Sequence, residues 1–299
     1  MTVSKNKRVG RQEVHAEKKR SQLLEVWRRL KKSKVAIVGL VILIFLIGIA
    51  LFADVIVDYD VAIQQDMVNK LQGPSAEHWL GTDAFGRDIF ARIVHGSRIS
   101  LSIGFVAVIV SLIVGGAIGS IAGYYGGKVD IIIMRFIDVL MAIPSMLMCI
   151  CVVTVLGPGM SNLLIAVTFS YVATFCVIVR SSILTIKNSD YIEAARATGV
   201  GTLRIIVRHI IPNTMGPIMV QATLSIGSVI LSAAGLSFVG LGVMPPTPEW
   251  GAILTEGKEV IRTAPHIVVF PGIAIMLAVM SLNFLGDGLR DALDPRLKQ

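Results

Sequence analysis

Residues 190–212 read DYIEAARATGVGTLRIIVRHIIP, and this polar-faced stretch lies between two very apolar ones. Its first part predicts a helix, because Asp190 and Glu193 have the spacing of a capping box. Gly199 suits the left-handed conformation that ends a helix, and Pro212 predicts the end of a second, short helix. Spacing alone leaves two interpretations open, an ordinary connector or a docking element for another protein.

The chain on either side of this stretch consists of apolar blocks. Hydrophobic residues make up 54% of the 299 residues and charged residues 16%, which is typical of integral membrane proteins and not of soluble domains. About 20 apolar residues in a helix cross the hydrocarbon core of a bilayer. The blocks therefore predict an all-α membrane protein with six transmembrane helices, at residues 35–57, 99–127, 129–156, 162–186, 215–242 and 265–286.

Glycines recur at every fourth residue in the second predicted span. Gly115, Gly119 and Gly123 place a strip of bare backbone on one helix face, which lets a neighbouring helix pack closely in lipid. Gly127 continues this spacing, but it follows two tyrosines and fits a turn equally well. In the third span, Pro144 predicts a kink.

The third span also carries two charges near its start, Arg135 and Asp138. Residues three apart share a helix face, so these side chains are predicted to form a pair. An ionisable group at membrane depth is a candidate functional residue. The alternative interpretation is an ion pair near the membrane interface, and the role of Asp138 stays open.

Positive charge sets the predicted orientation. With the N-terminus in the cytoplasm, 22 of the 28 Lys and Arg residues lie inside and six lie outside, as the positive-inside rule requires. Both termini are then cytoplasmic. Residues 1–34 form a basic cytoplasmic segment, residues 58–97 an extracytoplasmic loop, residues 98–289 a five-helix core that contains residues 190–212, and residues 290–299 a cytoplasmic tail.

The basic N-terminal segment predicts contact with anionic lipid and not with nucleic acid. Twelve of the Lys and Arg residues lie in residues 1–34, directly before the first span, where they favour the cytoplasmic membrane surface. Apolar residues recur among them at helical spacing and predict a short amphipathic helix on that surface; they are Leu23, Val26, Trp27 and Leu30.

The sequence lacks the motifs of catalysis and cofactor binding. The Gly-Lys pairs at Lys128 and Lys258 are not followed by the Ser or Thr of a phosphate-binding loop. The five histidines have no metal-like spacing, and the three cysteines lie in apolar runs. We therefore expect no catalytic, cofactor-binding or metal-binding residue, and energy for any transport must come from another subunit.

Several stretches resemble one protein family. Glu193-Ala194-Ala195, followed by Gly199 and Pro212, is similar to the EAA signature of permease subunits of binding-protein-dependent ABC importers. The chain is most similar to the second permease of the dipeptide, oligopeptide and nickel branch, through residues 79–88 (WLGTDAFGRD), 193–213, 236–242 (LSFVGLG) and 245–251 (PPTPEWG). The general signature has Ile and Leu where this sequence has His209 and Ile211.

The resemblance implies a type I ABC importer permease fold in the cell (inner) membrane, without enzymatic activity of its own. It further implies a coupling role, in which residues 190–212 dock on a cytoplasmic ATPase that binds ATP and Mg²⁺. The implied partners are a homologous sister permease, two ATPase subunits and an extracytoplasmic substrate-binding protein. The coupling residues that the resemblance indicates are Glu193, Ala194, Ala195, Arg196, Gly199 and Arg204.

Four residues of the outer loops are candidates for contacts with the binding protein or for an extracytoplasmic gate, namely Trp79, Asp83, Arg87 and Trp250. Their alternative role is to fold the loops. The expected cargo is a dipeptide or oligopeptide, and the same machinery could instead import nickel or another small solute. A self-sufficient secondary transporter is a further alternative, which the scarcity of charge in the spans disfavours.

Overall fold

The computed structural model of the protein describes residues 27–293, and residues 27–30 are helical. The α-helices that follow are α1 (Lys34–Leu51), α2 (Ala53–Ile56), α3 (Tyr59–Ile63), α4 (Ile89–Tyr125), α5 (Gly127–Met141), α6 (Ser145–Leu156), α7 (Met160–Ile186), α8 (Asp190–Ala197), α9 (Thr202–Arg204), α10 (Ile211–Phe238), α11 (Trp250–Gly257) and α12 (His266–Leu293). A π-helical turn, Ile205–Ile210, joins α9 to α10. The described residues contain one isolated β-bridge and no strand, so the all-α prediction is confirmed.

Five helical segments are long and apolar enough to cross a membrane: α1, α4, α7, the continuous segment Thr202–Phe238 and α12. The third predicted span is a pair of shorter helices, α5 and α6, which meet at an 85° bend. Pro144 directly precedes α6 and has extended backbone angles, φ −53° and ψ 132°. The chain is therefore broken here, where the sequence predicted only a kink.

The glycine strip packs α4 against α7, as the sequence predicted. A Cβ on Gly115 would lie 2.3 Å from the carbonyl oxygen of Val172, and Gly119 is equally close to the α7 backbone. One turn further, the carbonyl of Gly123 accepts a hydrogen bond from Lys187 Nζ (3.0 Å). Residue numbers rise together along both helices, so α4 and α7 run parallel.

The broken pair runs antiparallel to α7 along its length. Asp130 at the start of α5 pairs with Arg180 near the end of α7, and Asn162 near the start of α7 donates to the carbonyl of Leu156 (2.9 Å). Because α4 and α7 are parallel, the chain between them must return to the opposite end of the bundle. The pair α5–α6 therefore returns along the bundle, and with it the described residues hold five to six candidate spans, a range that includes the predicted six.

The first and last spans bring the described chain ends together. α1 packs antiparallel to α12, with Gly39 against Ser281 and Gly288 against Ala36. This places both ends at the end of the bundle that carries α8. That this end is cytoplasmic stays a prediction from the charge distribution. Residues 1–26, with Leu23 and Val26 of the predicted amphipathic helix, and residues 294–299 lie outside the described residues.

The helix that contains the second predicted span begins at Ile89, earlier than the predicted residue 99. Where the membrane begins along this helix, and hence the extent of the loop predicted at residues 58–97, stays a prediction. The first turns of α4 carry charges that neighbouring elements satisfy. Arg98 Nε donates to the carbonyl oxygen of Ala50 (2.9 Å) and its guanidinium pairs with Asp54. Arg92 is fully buried in an ion cluster. A hydropathy profile assigns these charged residues to the loop, because it takes no account of the residues that pair with them in the fold.

Candidate functional site

The helix α8 is the first half of the segment predicted to dock. Its N-cap is Ser189, whose carbonyl accepts the backbone N–H groups of Ile192 (2.9 Å) and Glu193 (3.1 Å). No side chain caps this helix, so the predicted capping box of Asp190 and Glu193 is wrong. Asp190 lies inside the first turn, where its negative charge interacts favourably with the helix dipole.

The end of α8 is a Schellman motif, as the glycine predicted. Gly199 has φ +76°, its N–H donates to the carbonyl of Arg196 (3.0 Å), and the N–H of Val200 donates to that of Ala195 (3.2 Å). Val200 and Ala195 are partly buried against the same apolar cluster, which is the hydrophobic contact that usually accompanies this motif. The bend after α8 is thus defined by backbone geometry and by packing.

An apolar cluster packs α8 against the ends of the spans. Ile192 is fully buried, and it packs with residues from α7, the π-helical turn and α10; they are Val179, Ile183, Ile205, Ile210 and Ile218. Each fully buried Ile contributes on the order of 2 kcal/mol relative to exposure. Because one face of α8 is held in this way, a displacement of α8 would be passed to α7 and α10.

Arg196 also connects α8 to the membrane helices. Its guanidinium lies 5.1 Å from the ring centre of Tyr124, and Nη2 donates to the carbonyl oxygen of Lys187 (3.4 Å). The resemblance implied that Arg196 contacts a partner from the rim of α8. In this structure the side chain is turned towards α4 and the end of α7.

The opposite face of the segment is exposed. Glu193, Ala194, Gly199 and Arg204 are all exposed, and Ala195 is half-buried. Three apolar residues that we did not single out from the sequence share this exposure, Tyr191 (45%), Leu203 (76%) and Val207 (55%). Large apolar side chains on a polar, non-spanning segment mark interaction sites, and that mismatch was the available sequence signal.

Pro212 does not end a helix, which corrects the sequence prediction. It lies in the first turn of α10, and helix continues through it from Thr202 to Phe238. The π-helical turn before it shifts the hydrogen-bond pattern, so that the N–H of Ile211 donates to the carbonyl of Ile206. Asn213 Nδ2 then donates to the carbonyl of His209 (2.6 Å), a backbone acceptor close to the proline. The second bond satisfies a carbonyl in the turn before the proline, which itself has no N–H to donate.

A buried charge cluster lies at the other end of the bundle. Asp83 and Arg92 are fully buried, and Arg87 is 2% exposed. Asp83 Oδ2 accepts from Arg87 Nε (2.7 Å) and Arg92 Nη1 (2.6 Å), while both guanidinium groups also bond Glu256 on α11. Two positive and two negative charges therefore balance, which buried charges require. The cluster fastens the outer loop and α11 to α4.

Trp250 is likewise part of the folded interior, with 1% of its surface exposed. Its indole Nε1 donates to the carbonyl oxygen of Ile93 on α4 (3.0 Å). The preceding Glu249 is buried and caps α11, accepting from the N–H groups of Gly251 and Ala252 (2.8 Å each). This anchoring supports the loop-folding interpretation of Trp250.

Among the four candidate gate residues, Trp79 differs from the other three. It is 67% exposed, and its ring lies 5.0 Å from that of Phe90. Asp83, Arg87 and Trp250 are buried within the chain and have no free surface for another subunit. Sequence reasoning missed Arg92 and Glu256, because the members of this cluster are spread over 173 residues of the sequence, from Asp83 to Glu256.

Arg135 and Asp138 do not form the predicted pair. In the described part of the chain, neither has an ion-pair partner, and both are exposed. The ion pair of this region joins Asp130 to Arg180, through two hydrogen bonds. Asp130 lies on the side of α5 that packs against α7, whereas Arg135 and Asp138 lie beside this pair on the exposed surface of a cavity that the four residues share.

Comparison with known proteins adds the family. Residues 115–299 match the family described as "Binding-protein-dependent transport system inner membrane component", and residues 21–74 match the "N-terminal TM domain of oligopeptide transport permease C". The chain is 50% identical to the dipeptide transport system permease protein DppC of Alkalihalophilus pseudofirmus, over 92% of this chain and 90% of that protein. It is 46% identical to the glutathione transport system permease protein GsiD of Pectobacterium atrosepticum, over 92% of this chain and 91% of that protein.

A solved structure supports the fold. An inward-facing crystal form of the MetNI methionine ABC transporter aligns with a TM-score of 0.57 and 17% identity, over 69% of this chain and 98% of that chain. This is the type I ABC importer permease fold that the sequence predicted. The family match spans more than half of the sequence, and it agrees with the identities above. The chain therefore belongs to the family of binding-protein-dependent transport system inner membrane components, as a multi-pass membrane permease of the oligopeptide permease C type.

Proposed function

We propose that this permease forms part of the path by which an ATP-driven importer takes up dipeptides or oligopeptides. The observation that carries the proposal is the 50% identity to a dipeptide permease over 92% of the chain. The identity to a glutathione permease supports the same class of cargo, because glutathione is a tripeptide. The subunit makes and breaks no covalent bond, and ATP with Mg²⁺ acts in partner subunits.

Importers of this family work with ATPase and substrate-binding protein subunits. The complete machine that we propose contains this chain, a homologous sister permease, two ATPase subunits and an extracytoplasmic binding protein. The sister permease supplies the other wall of the path. On the outer side, Trp79 is the candidate contact for the binding protein, since it is exposed and its ring is held in a tilted contact with that of Phe90. Asp83, Arg87 and Trp250 would shape the surface beneath it.

The coupling role of residues 190–212 rests on two properties of α8. Its exposed face offers small Ala194 and the charge of Glu193 to a partner, and α9 adds the exposed side chains of Leu203 and Arg204. Its buried face is fixed to α7 and α10 through Ile192. Closure of two ATPases on ATP would move α8, and the packed cluster would carry that motion to the spans as a rigid body.

The cargo is tested by uptake. The chain and its partner subunits are reconstituted in vesicles, and ATP-dependent entry of a labelled dipeptide, of glutathione and of Ni²⁺ is measured. We expect uptake of peptides that requires ATP and the binding protein. Uptake of Ni²⁺ in place of peptides would contradict the proposed cargo, and gradient-driven uptake by this chain alone would contradict the importer mechanism.

The docking role is tested with a matched pair of variants. Leu203→Glu places a charge on the segment, and Val68→Glu makes the same kind of change on the outer loop, where Val68 is 90% exposed. Burying an unpaired carboxylate at an interface is costly, so we expect Leu203→Glu to lose the ATPase in co-purification. Val68→Glu should retain it. Equal retention by both variants would remove Leu203 from the interface.

A further inference from the structure

The first half of the broken span carries two charges that the fold of this chain does not use. Arg135 and Asp138 are exposed on α5, and within residues 27–293 neither forms an ion pair. They line a cavity of about 260 Å³ together with Asp130 and Arg180. Asp130 and Arg180 are bonded to each other, and Arg180 also feels the charge of Asp138. The cavity thus holds one hydrogen-bonded ion pair, together with a cation, Arg135, and an anion, Asp138, that form no ion pair in the described part of the chain.

The exposed surface of α5 divides into two sectors, because consecutive residues of a helix are rotated by about 100°. Lys128, Arg135 and Asp138 share one sector, and no exposed apolar residue other than Ile131 lies among them. The adjoining sector is entirely apolar and exposed; it consists of Val129, Ile132, Phe136 and Val139. The remaining side of the helix, with Asp130 and Ile137, packs against α7.

These sectors have different surroundings in a membrane. The apolar sector can face lipid, whereas each charge at the centre of a span costs about 3 kcal/mol or more in contact with lipid. At 1.5 Å per residue, Arg135 and Asp138 lie about 12 and 16 Å from the start of α5. Because α5 meets α6 at an 85° bend, α5 is tilted, and both residues lie at a smaller depth than this in a hydrocarbon core of roughly 30 Å. Arg135 has a long side chain that can reach the interface, but Asp138 has not. The charged sector must therefore face protein or water.

We propose that Arg135 and Asp138 face the water-filled transport path and bind the charged ends of a peptide as it passes. This inference rests on the proposed function. A free peptide at neutral pH carries an ammonium and a carboxylate, and Asp138 and Arg135 offer one anion and one cation to receive them. Arg135 binds the carboxylate through its planar guanidinium, and Asp138 accepts hydrogen bonds from the ammonium.

The dimensions of the two groups agree with a short peptide. Side chains three residues apart on a helix have Cβ atoms about 5–6 Å apart, and a dipeptide extends over roughly 7 Å. The neutral sum of the two charges suits a zwitterion, because a fixed excess of one sign would hold one end of the peptide and repel the other. Contact with both ends reduces the cost of moving them out of bulk water.

Exposure to the path is tested by labelling in the assembled transporter. Cys149, Cys151 and Cys176 are replaced by Ala, and single cysteines are introduced as Arg135→Cys and Asp138→Cys. The control variants, Ile132→Cys and Phe136→Cys, lie in the apolar sector. We expect a charged thiosulfonate to label the first pair at least ~10-fold faster than the second, because thiolates form and react in water and not in lipid. Equal rates for the two pairs would overturn the proposal.

Contact with cargo is tested by uptake and by protection. Asp138→Asn removes one charge-assisted hydrogen bond, so we expect dipeptide uptake to fall about tenfold. Asp138→Glu, which keeps the charge, should restore most of it, while the ATPase remains bound to both variants. Dipeptide supplied with the binding protein should also slow labelling of Asp138→Cys. Unchanged uptake by Asp138→Asn, or no protection by peptide, would overturn the cargo contact.

The two proposals fail in distinguishable ways. If the unsubstituted complex takes up no peptide, the proposed function is wrong, whatever the labelling shows. If it takes up peptide normally and Asp138→Asn does the same, the importer role stands and the cargo site on α5 is wrong.

Discussion

Single residues determine where this permease bends and what it buries. Gly199 adopts φ +76° with no atom near its missing Cβ, so the position is restricted by backbone conformation alone. Asp83 shows the other kind of restriction, because both of its carboxylate oxygens are bonded within a buried cluster. The first residue governs the shape of residues 190–212, and the second governs how the loop before α4 is held on that helix.

Substitution of Gly199 by Ala tests the importance of this bend. An L-residue in the left-handed region costs about 1 kcal/mol, and so the bent form of the segment should bind the ATPase about fivefold more weakly. Gly201→Ala is the matched control, since Gly201 has φ −62° and is also free of close neighbours. Affinity is measured by titrating the ATPase against each variant. A loss of equal size in Gly201→Ala would show that the glycine conformation is not the cause.

Substitution of Asp83 by Asn tests the charge cluster. The change leaves Arg87 and Arg92 facing Glu256 alone, and breaking a buried ion pair typically costs about 3–5 kcal/mol. We expect a marked fall in the thermal unfolding temperature in detergent. Asp54→Asn is the control, because Asp54 pairs with Arg98 in a much more exposed setting, with 64% and 41% of the two side chains accessible. The idea fails if both variants unfold at the same temperature.

The helices could be predicted where the residues that determine them lie close together in the sequence. The Schellman bend follows from Gly199, and the close packing of α4 on α7 follows from glycines four residues apart. The start of α4 at Ile89 was not predictable, because the charges that follow it are satisfied by residues far away in sequence. The continuation of helix through Pro212 depends on a π-helical turn, which no single residue type signals.

The same locality explains what was missed in the candidate sites. Glu256 lies 164 residues after Arg92. No local pattern in the sequence indicates a contact between residues so far apart. The predicted pair of Arg135 and Asp138 was reasonable from spacing alone. Helix spacing fixes which side chains share a face, but it does not fix whether they bond each other.

At the scale of the element, the glycine strip provides a test of helix packing in the membrane. Gly119→Ala would place a Cβ 2.3 Å from the backbone oxygen of Cys176, whereas Gly116→Ala would have 3.7 Å to its nearest neighbour, Val179. The first change must separate α4 from α7, so we expect a loss of about 1–3 kcal/mol, as for overpacked cores. The second should be nearly neutral. Folding is compared by steric trapping or by unfolding in mixed micelles, and equal stability would argue against close packing at Gly119.

At the scale of the whole molecule, the direction of each helix follows from its contacts. α4 and α7 are parallel, α1 and α12 are antiparallel, and the end of α1 meets the start of α4 through the bond from Arg98 to Ala50. These relations put the described ends and residues 190–212 at one end of the bundle. They also require that the bent pair α5–α6 returns from one end of the bundle to the other, although neither half alone is long enough to cross a membrane.

The crossing by α5–α6 is tested by the side from which its flanking loops can be labelled. Ser161 is exposed at the start of α7 and Asn188 is exposed after its end. In whole cells, an impermeant thiol reagent should label Ser161→Cys and should leave Asn188→Cys unlabelled until the membrane is opened. This follows because a segment that connects parallel helices must traverse the bilayer, and because positive charge places residues 190–212 inside. If α5–α6 were a re-entrant loop, α4 and α7 could not both cross in parallel, and the two positions would not differ in this way. If instead Asn188→Cys were labelled in whole cells and Ser161→Cys were not, the crossing would stand, but the predicted orientation would be inverted. Residues 190–212 would then lie outside, where they could not reach a cytoplasmic ATPase.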